Sequence, residues 1–319
     1  MLHRICRCAG VGAPVVIFSG LLLALSCGPT MAASGDGLKF PTPDAAVTTL
    51  VDATRAADRE KLLSIFGHDA VEELSSGDEV ADEATRKRFV ALYDEAHKIV
   101  ASGLDRAELT VGKHDWPFPI PIVRDGKSWT FDAKAGREEI INRRIGRNEL
   151  NAMESLRVAL KAQGEYYRTN PAGDARQQYA QRFLSTEGNR DGLYWPVAEG
   201  EQPSPLGPLV GEATAEGYQL TPLAPAQPPR PFHGYLFRIL TSQGANAEGG
   251  ALDYLENGAL TKGFAIVAYP VKYGVSGIRT FLVNQDGVLF ERDLGPDTDK
   301  IAAGIRAFDP DEEWSAHEE

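Results

Sequence analysis

Two groups of acids near the C-terminal end are the side chains best suited to chemistry. RDLGPDTDK carries Asp293, Asp297 and Asp299, and FDPDEE carries Asp309, Asp311, Glu312 and Glu313. Carboxylates at this density supply the oxygen ligands that calcium takes, so Asp293, Asp297 and Asp299 form the candidate metal set, with calcium the candidate ion. Neither run matches an EF-hand loop. The plainer reading of both is solvated loop acids that keep an acidic protein soluble. Carboxylate pairs that hydrolyse glycosides leave no local signature. A hydrolase using these acids, or carboxylates in a cleft, therefore stands as the alternative function.

Other chemistries leave clearer marks, and those marks are absent. There is no Gly-Lys-Ser/Thr phosphate loop and no Gly-x-Gly-x-x-Gly after a strand. Ser276 in VSGIR does not meet the Gly-x-Ser-x-Gly nucleophile pattern. The six histidines are scattered, with no pair at metal-ligand spacing. No catalytic residue and no cofactor site is assigned. Trp116 and Phe118 in WPFPIPIV, with Trp129 beyond, lie on a proline-rich extended edge. Aromatics so placed either form a sugar- or peptide-binding surface or simply join the core.

Residues 1–33 read as a secretory signal: Arg4 and Arg7, an apolar run from Val15 to Cys27, then small residues ending in Ala32 and Ala33. The run is short for a membrane span, which needs roughly 20 residues. The expectation is export, most simply to the periplasm, with no transmembrane span in the mature chain. An outer-envelope lipoprotein acylated at Cys27 is the alternative. All three cysteines lie in this segment, so the mature chain has no thiol and relies on its core rather than on disulfides. Net charge is −12, and loss of Arg4 and Arg7 leaves 31 bases against 45 acids. Such a surface repels phosphate backbones, which excludes nucleic acid as an expected partner.

The elements that would position these groups follow from periodicity. A helix begins at Pro43 and Asp44, with Ala46, Val47, Leu50, Val51 and Ala53 on one face, and Asp58 caps a second. A third helix is expected from about Glu83 to Ile99. Strands follow, joined by a turn at Arg124–Lys127. A long helix begins near Arg137, with Leu150, Met153, Leu156, Leu160 and Tyr167 forming an apolar stripe. ARQQYAQRFLST reads as another helical piece. Nine prolines between Pro196 and Pro231 read as an extended connection with a short helix around Leu209–Ala215. From His233 the chain is a strand series, GYLFRILTS, FAIVAYP, RTFLVNQ and VLFERD, with a tight turn at Asp286-Gly287. The acidic tail FDPDEEW is expected to lie over the surface.

Several stretches carry a resemblance. WPFPIPIV, the following W-x-FD and RRIG-x-NEL, then SPLGPLV, then the run from HGYLFRIL to ERDLGPDT are similar to a bacterial family catalogued as a domain of unknown function, number 2950 in its series. The likeness spans about residues 38 to 315 and implies an exported envelope protein with no established activity. The first half, helices followed by a curled antiparallel sheet, resembles the nuclear-transport-factor-2-like superfamily. The second half, a helix ending in Tyr166-Tyr167 followed by FAIVAYP and RTFLVNQDGVL, resembles the heads of type IV pilins and type II secretion pseudopilins. It lacks their apolar stem. That resemblance implies a soluble assembly or binding role, and some pseudopilin heads bind calcium.

The resulting expectation is an α+β protein. Residues 34–146 form an N-terminal domain of helices and a small antiparallel sheet. Residues 147–319 form a C-terminal domain in which a long helix packs on an antiparallel sheet, with the connection at 196–231. The expected role is a non-catalytic binding or assembly module whose partner is an envelope protein or polymer.

Overall fold

The computed structural model describes residues 37–67, 75–220 and 230–317. Residues 1–36, which include the expected signal segment and Cys27, and residues 221–229 of the proline-rich connection lie outside these. Thr42 opens the first helix: its hydroxyl accepts from the Ala45 amide, and Pro43 follows at a position where no amide hydrogen is needed. This helix, α1 (Pro43–Arg55), buries the five apolar residues expected of it. Asp58 caps α2 (Arg59–Phe66), and Asp78 caps α3 (Glu79–Glu95).

Helix α3 starts and stops about four residues earlier than its periodicity suggests. From Ala96 the chain is extended, because Ile99 and Val100 pair across a ladder rather than continue a helix. Strand β1 (His97–Ala101) runs antiparallel to β2 (Arg106–Val111), and β2 also pairs with β3 (Trp116–Pro117) and β4 (Ile122–Asp125). The expected turn joins β4 to β5 (Ser128–Phe131) through Gly126, in register Asp125 with Ser128. Helices α1 and α2 and this sheet enclose a core around Val47, Leu50, Leu109, Ile122 and Phe131.

Asp132 then caps α4 (Ala133–Thr169), 37 residues long and unbroken through residues 146 and 147. Its buried face consists of Ala152, Met153, Leu156, Ala159 and Tyr166. Leu150 is not part of it, being 65% exposed. The stripe therefore sits rotated from the expected one. Small residues at 152 and 159 let the helix approach the sheet, and Leu150 points to water.

The C-terminal sheet has the order β14 (Ser315–Ala316), β13 (Leu289–Asp293), β12 (Arg279–Asn284), β11 (Ala265–Pro270), β6 (Tyr235–Leu240), antiparallel throughout. Two short ribbons flank it, β7 (Ser242–Gln243) with β8 (Leu252–Asp253), and β9 (Leu255–Glu256) with β10 (Ala259–Leu260). All six residues of β11 are buried, which explains why AIVAYP reads as continuous rather than alternating: both faces are covered. On β6, Phe237 borders a groove with Ser155 and Ala159 of α4. Its neighbour Arg238 donates to the Ala302 carbonyl of α6 (Thr298–Gly304). Successive strand residues point to opposite faces, so α4 and α6 cover opposite sides of the sheet. Helix α5 (Gly207–Glu216) closes a third, smaller core with Tyr166, Leu193, Trp195 and Leu206.

Residues 175–186 are not the helix their pattern suggests. Gln163, fully buried on α4, holds Ala180 at both ends, accepting from its amide and donating to its carbonyl, each at 2.8 Å. Tyr179 bridges to Leu260. These tertiary bonds satisfy the backbone more fully than an isolated turn of helix would. The tail also differs from a loose acidic cover: β14 extends the sheet, and Arg292 pairs with Asp311 and Glu313. Among the described residues, no helix is long and apolar enough to cross a membrane.

Candidate functional site

The centre of the molecule is organised by one buried carboxylate. Asp78 caps α3 with Oδ1, accepting from the Ala81 amide at 3.1 Å. Its Oδ2 accepts from the Tyr218 hydroxyl and the Gly234 amide, both at 2.9 Å. The Tyr218 oxygen in turn accepts from the His233 amide at 3.1 Å. His233 and Gly234 both have positive φ, 49° and 76°, and this turn aims both amides inward. A Cβ on Gly234 would lie 2.4 Å from Asn148 Nδ2, so the position has no room for a side chain. Asn148 donates to the Ser276 carbonyl, and Glu149 accepts from the amides of Ile278 and Arg279. The middle of α4 is thereby tied to the start of β12.

Above this network opens a cleft of about 330 Å³. One wall carries three cations and one acid: Arg88 and Asp82 from α3 and Arg144 and Arg147 from α4. Residues 144 and 147 are one turn apart and share a helix face. Burial, then the neighbouring charge of Arg88, lowers Arg147 from the ordinary arginine value. Burial likewise lowers Arg144, with Asp82 opposing and Arg147 adding to the effect. Among the described residues, neither Arg88 nor Arg147 has a carboxylate within ion-pair distance, and Arg147 reaches only the Thr85 hydroxyl at 3.4 Å. The other wall holds Tyr218, His233 and Glu216. Burial lowers His233 from 6.5, against the pull of Glu216 and Asp78, and its Nε2 lies 3.5 Å from Glu216 Oε2. Burial first, then Asp78, pushes the Tyr218 hydroxyl far above its ordinary range, so it remains a donor.

Guanidinium groups match carboxylate and phosphate geometry, and the like charges of Arg88 and Arg147, with no carboxylate at ion-pair distance among the described residues, favour an anion between them. The chain matches, over residues 38–317, the family described as "Protein of unknown function (DUF2950)". It belongs to that family. No curated protein and no solved structure matches it. Membership in the family covers every residue of the cleft named above.

The residues singled out in the sequence lie elsewhere. Asp293 accepts from the Gly295 amide and the Tyr273 hydroxyl, Asp297 pairs with Lys300, and Asp299 sits in the first turn of α6. Among the described residues no three His, Cys, Asp or Glu side chains are gathered to hold a metal ion. Of the aromatic surface, only Trp116 is exposed, at 58%. Phe118 packs on Phe89 and Phe131, and Trp129 lies under Arg124 and pairs with Phe40. The cleft itself went unread. Its one sequence signal was RRIGRNEL, polar residues at helical spacing that are too many for a solvent face alone.

Proposed function

We propose that this protein is an exported, non-catalytic binding module of the cell envelope that holds an anionic ligand under Arg88, Arg144 and Arg147. The observation that carries this reading is the pair Arg88 and Arg147, two guanidiniums that border one cleft without a carboxylate partner among the described residues. A protein with 45 acids has ample means to neutralise them, and leaving the charge uncompensated inside a cleft favours a ligand that supplies the counter-charge. The signal-like residues 1–33 support export, with the periplasm as the compartment and a Cys27-anchored lipoprotein as the variant. The helix laid on an antiparallel sheet supports the likeness to pilin heads, in which residues 147–319 serve as a platform.

Calorimetric titration of the mature protein with phosphate and with succinate tests the reading. Binding weakened at least tenfold by Arg147→Gln, and again by Arg88→Gln, is the expected result. Absence of saturable heat with either anion, or binding indifferent to both substitutions, overturns it.

A further inference from the structure

The cleft is not uniformly basic, and its second wall narrows the ligand class. Glu216 is the last residue of α5, which has no basic residue in its final turn. A carboxylate there faces the negative end of the helix dipole and costs stability rather than adding it. Among the described residues its close partner is His233, which burial lowers from 6.5, so near neutral pH the imidazole does not cancel the charge. Glu216 is exposed to the cleft, across the same 330 Å³ that Arg88, Arg144 and Arg147 border. One space thus presents three guanidiniums, offset in part by Asp82 beside Arg144, and apart from them the carboxylate of Glu216. At roughly 30 Å³ per water, it has room for about ten waters' worth of ligand.

Building on the anion-binding reading, we propose that the ligand is a small zwitterion of the amino-acid or short-peptide class. Its carboxylate lies against the arginines and its ammonium against Glu216. Opposite charges on opposite walls select against ligands that carry only one of them. A plain dianion meets Glu216 as a like charge, and a plain amine meets the arginines. Asn148 and Tyr218 are committed to Ser276 and Asp78, so the charged pairs, rather than these side chains, set the orientation.

Titration of the mature protein with L-alanyl-L-alanine, its N-acetyl derivative and its C-terminal amide tests the assignment. The free dipeptide is expected to bind at least tenfold more tightly than either blocked form. Glu216→Gln is expected to erase the preference over the N-acetyl form while leaving sensitivity to Arg147→Gln. If the free and N-acetylated dipeptides bind equally well and both respond to Arg147→Gln, the anion site stands and the zwitterion assignment falls. If none of the three binds while phosphate or succinate does, the assignment falls in the same way. Loss of all binding, simple anions included, removes both.

Discussion

The Tyr218 hydroxyl donates to the Asp78 carboxylate at 2.9 Å across 140 residues of chain. The Gly234 amide reaches the same oxygen. The cap of α3 is therefore also the fastening between the first helices of the fold and the turn that enters the C-terminal sheet. Asp78→Ala leaves two buried donors without an acceptor, and a cost of about 3 kcal/mol is expected. Tyr218→Phe should cost about 2 kcal/mol, and the double variant less than the sum, with a coupling of at least about 1 kcal/mol. Urea unfolding of the four proteins at common slope measures this.

His233 gives the protein an acid-sensitive stability. Burial lowers its pKa from 6.5 in the fold, so the unfolded chain binds the proton more readily. The stabilisation is complete above about pH 6.5 and is lost as pH falls through the folded value. Asn tolerates the left-handed backbone that His233 occupies. Unfolding free energies between pH 7.5 and 5 should therefore fall less steeply for His233→Asn than for the natural protein. Parallel curves would contradict the assignment.

Two leucines six residues apart on α4 should respond oppositely. Leu156 is 1% exposed in the main core, whereas Leu150 is turned to solvent. Leu156→Ala is expected to cost about 3 kcal/mol, and Leu150→Ala to stay within about 0.5 kcal/mol. Thermal and chemical denaturation distinguish them readily. Equal costs would mean that the helix packs through another face.

Gly277 and Gly274 separate crowding from backbone strain. A Cβ at Gly277 would meet the Tyr235 hydroxyl at 2.2 Å and its ring at 2.7 Å. Tyr235 is fully buried and donates to the Arg279 carbonyl, so it has nowhere to go. Gly277→Ala should cost at least about 2 kcal/mol. At Gly274 a Cβ meets nothing, but φ is 71°, and Gly274→Ala should cost about 1 kcal/mol. Denaturation midpoints of the two variants check the order.

How much of this was legible depended on whether local or distant partners decided the outcome. The hairpin at Asn284–Gly287 was readable because its own residues supply the turn: Gly287 has φ 85° and Asn284 bonds Asp286. Helix α1 was readable because Thr42, Pro43 and the buried face all lie within it. Residues 175–186 were misread because Gln163, far along the chain, holds Ala180 extended. Ile99 and Val100 likewise took their state from β2. The cleft was hidden for the same reason: Arg88, Arg147, Glu216 and His233 carry no shared motif, and long-range bonds such as those of Asp78 and Asn148 bring their elements together.

Helix α4 joins everything described above. At about 1.5 Å per residue its 37 residues extend roughly 55 Å. Ile140 near one end rests on the first core, while Met153 and Leu156 are embedded in the second. Arg144 and Arg147 lie on the bridge between these anchorages. Such a beam fixes the spacing of Arg144 and Arg147 along it, since changing that spacing would require bending an uninterrupted helix. The ligand proposed above therefore meets these two guanidiniums at a set separation.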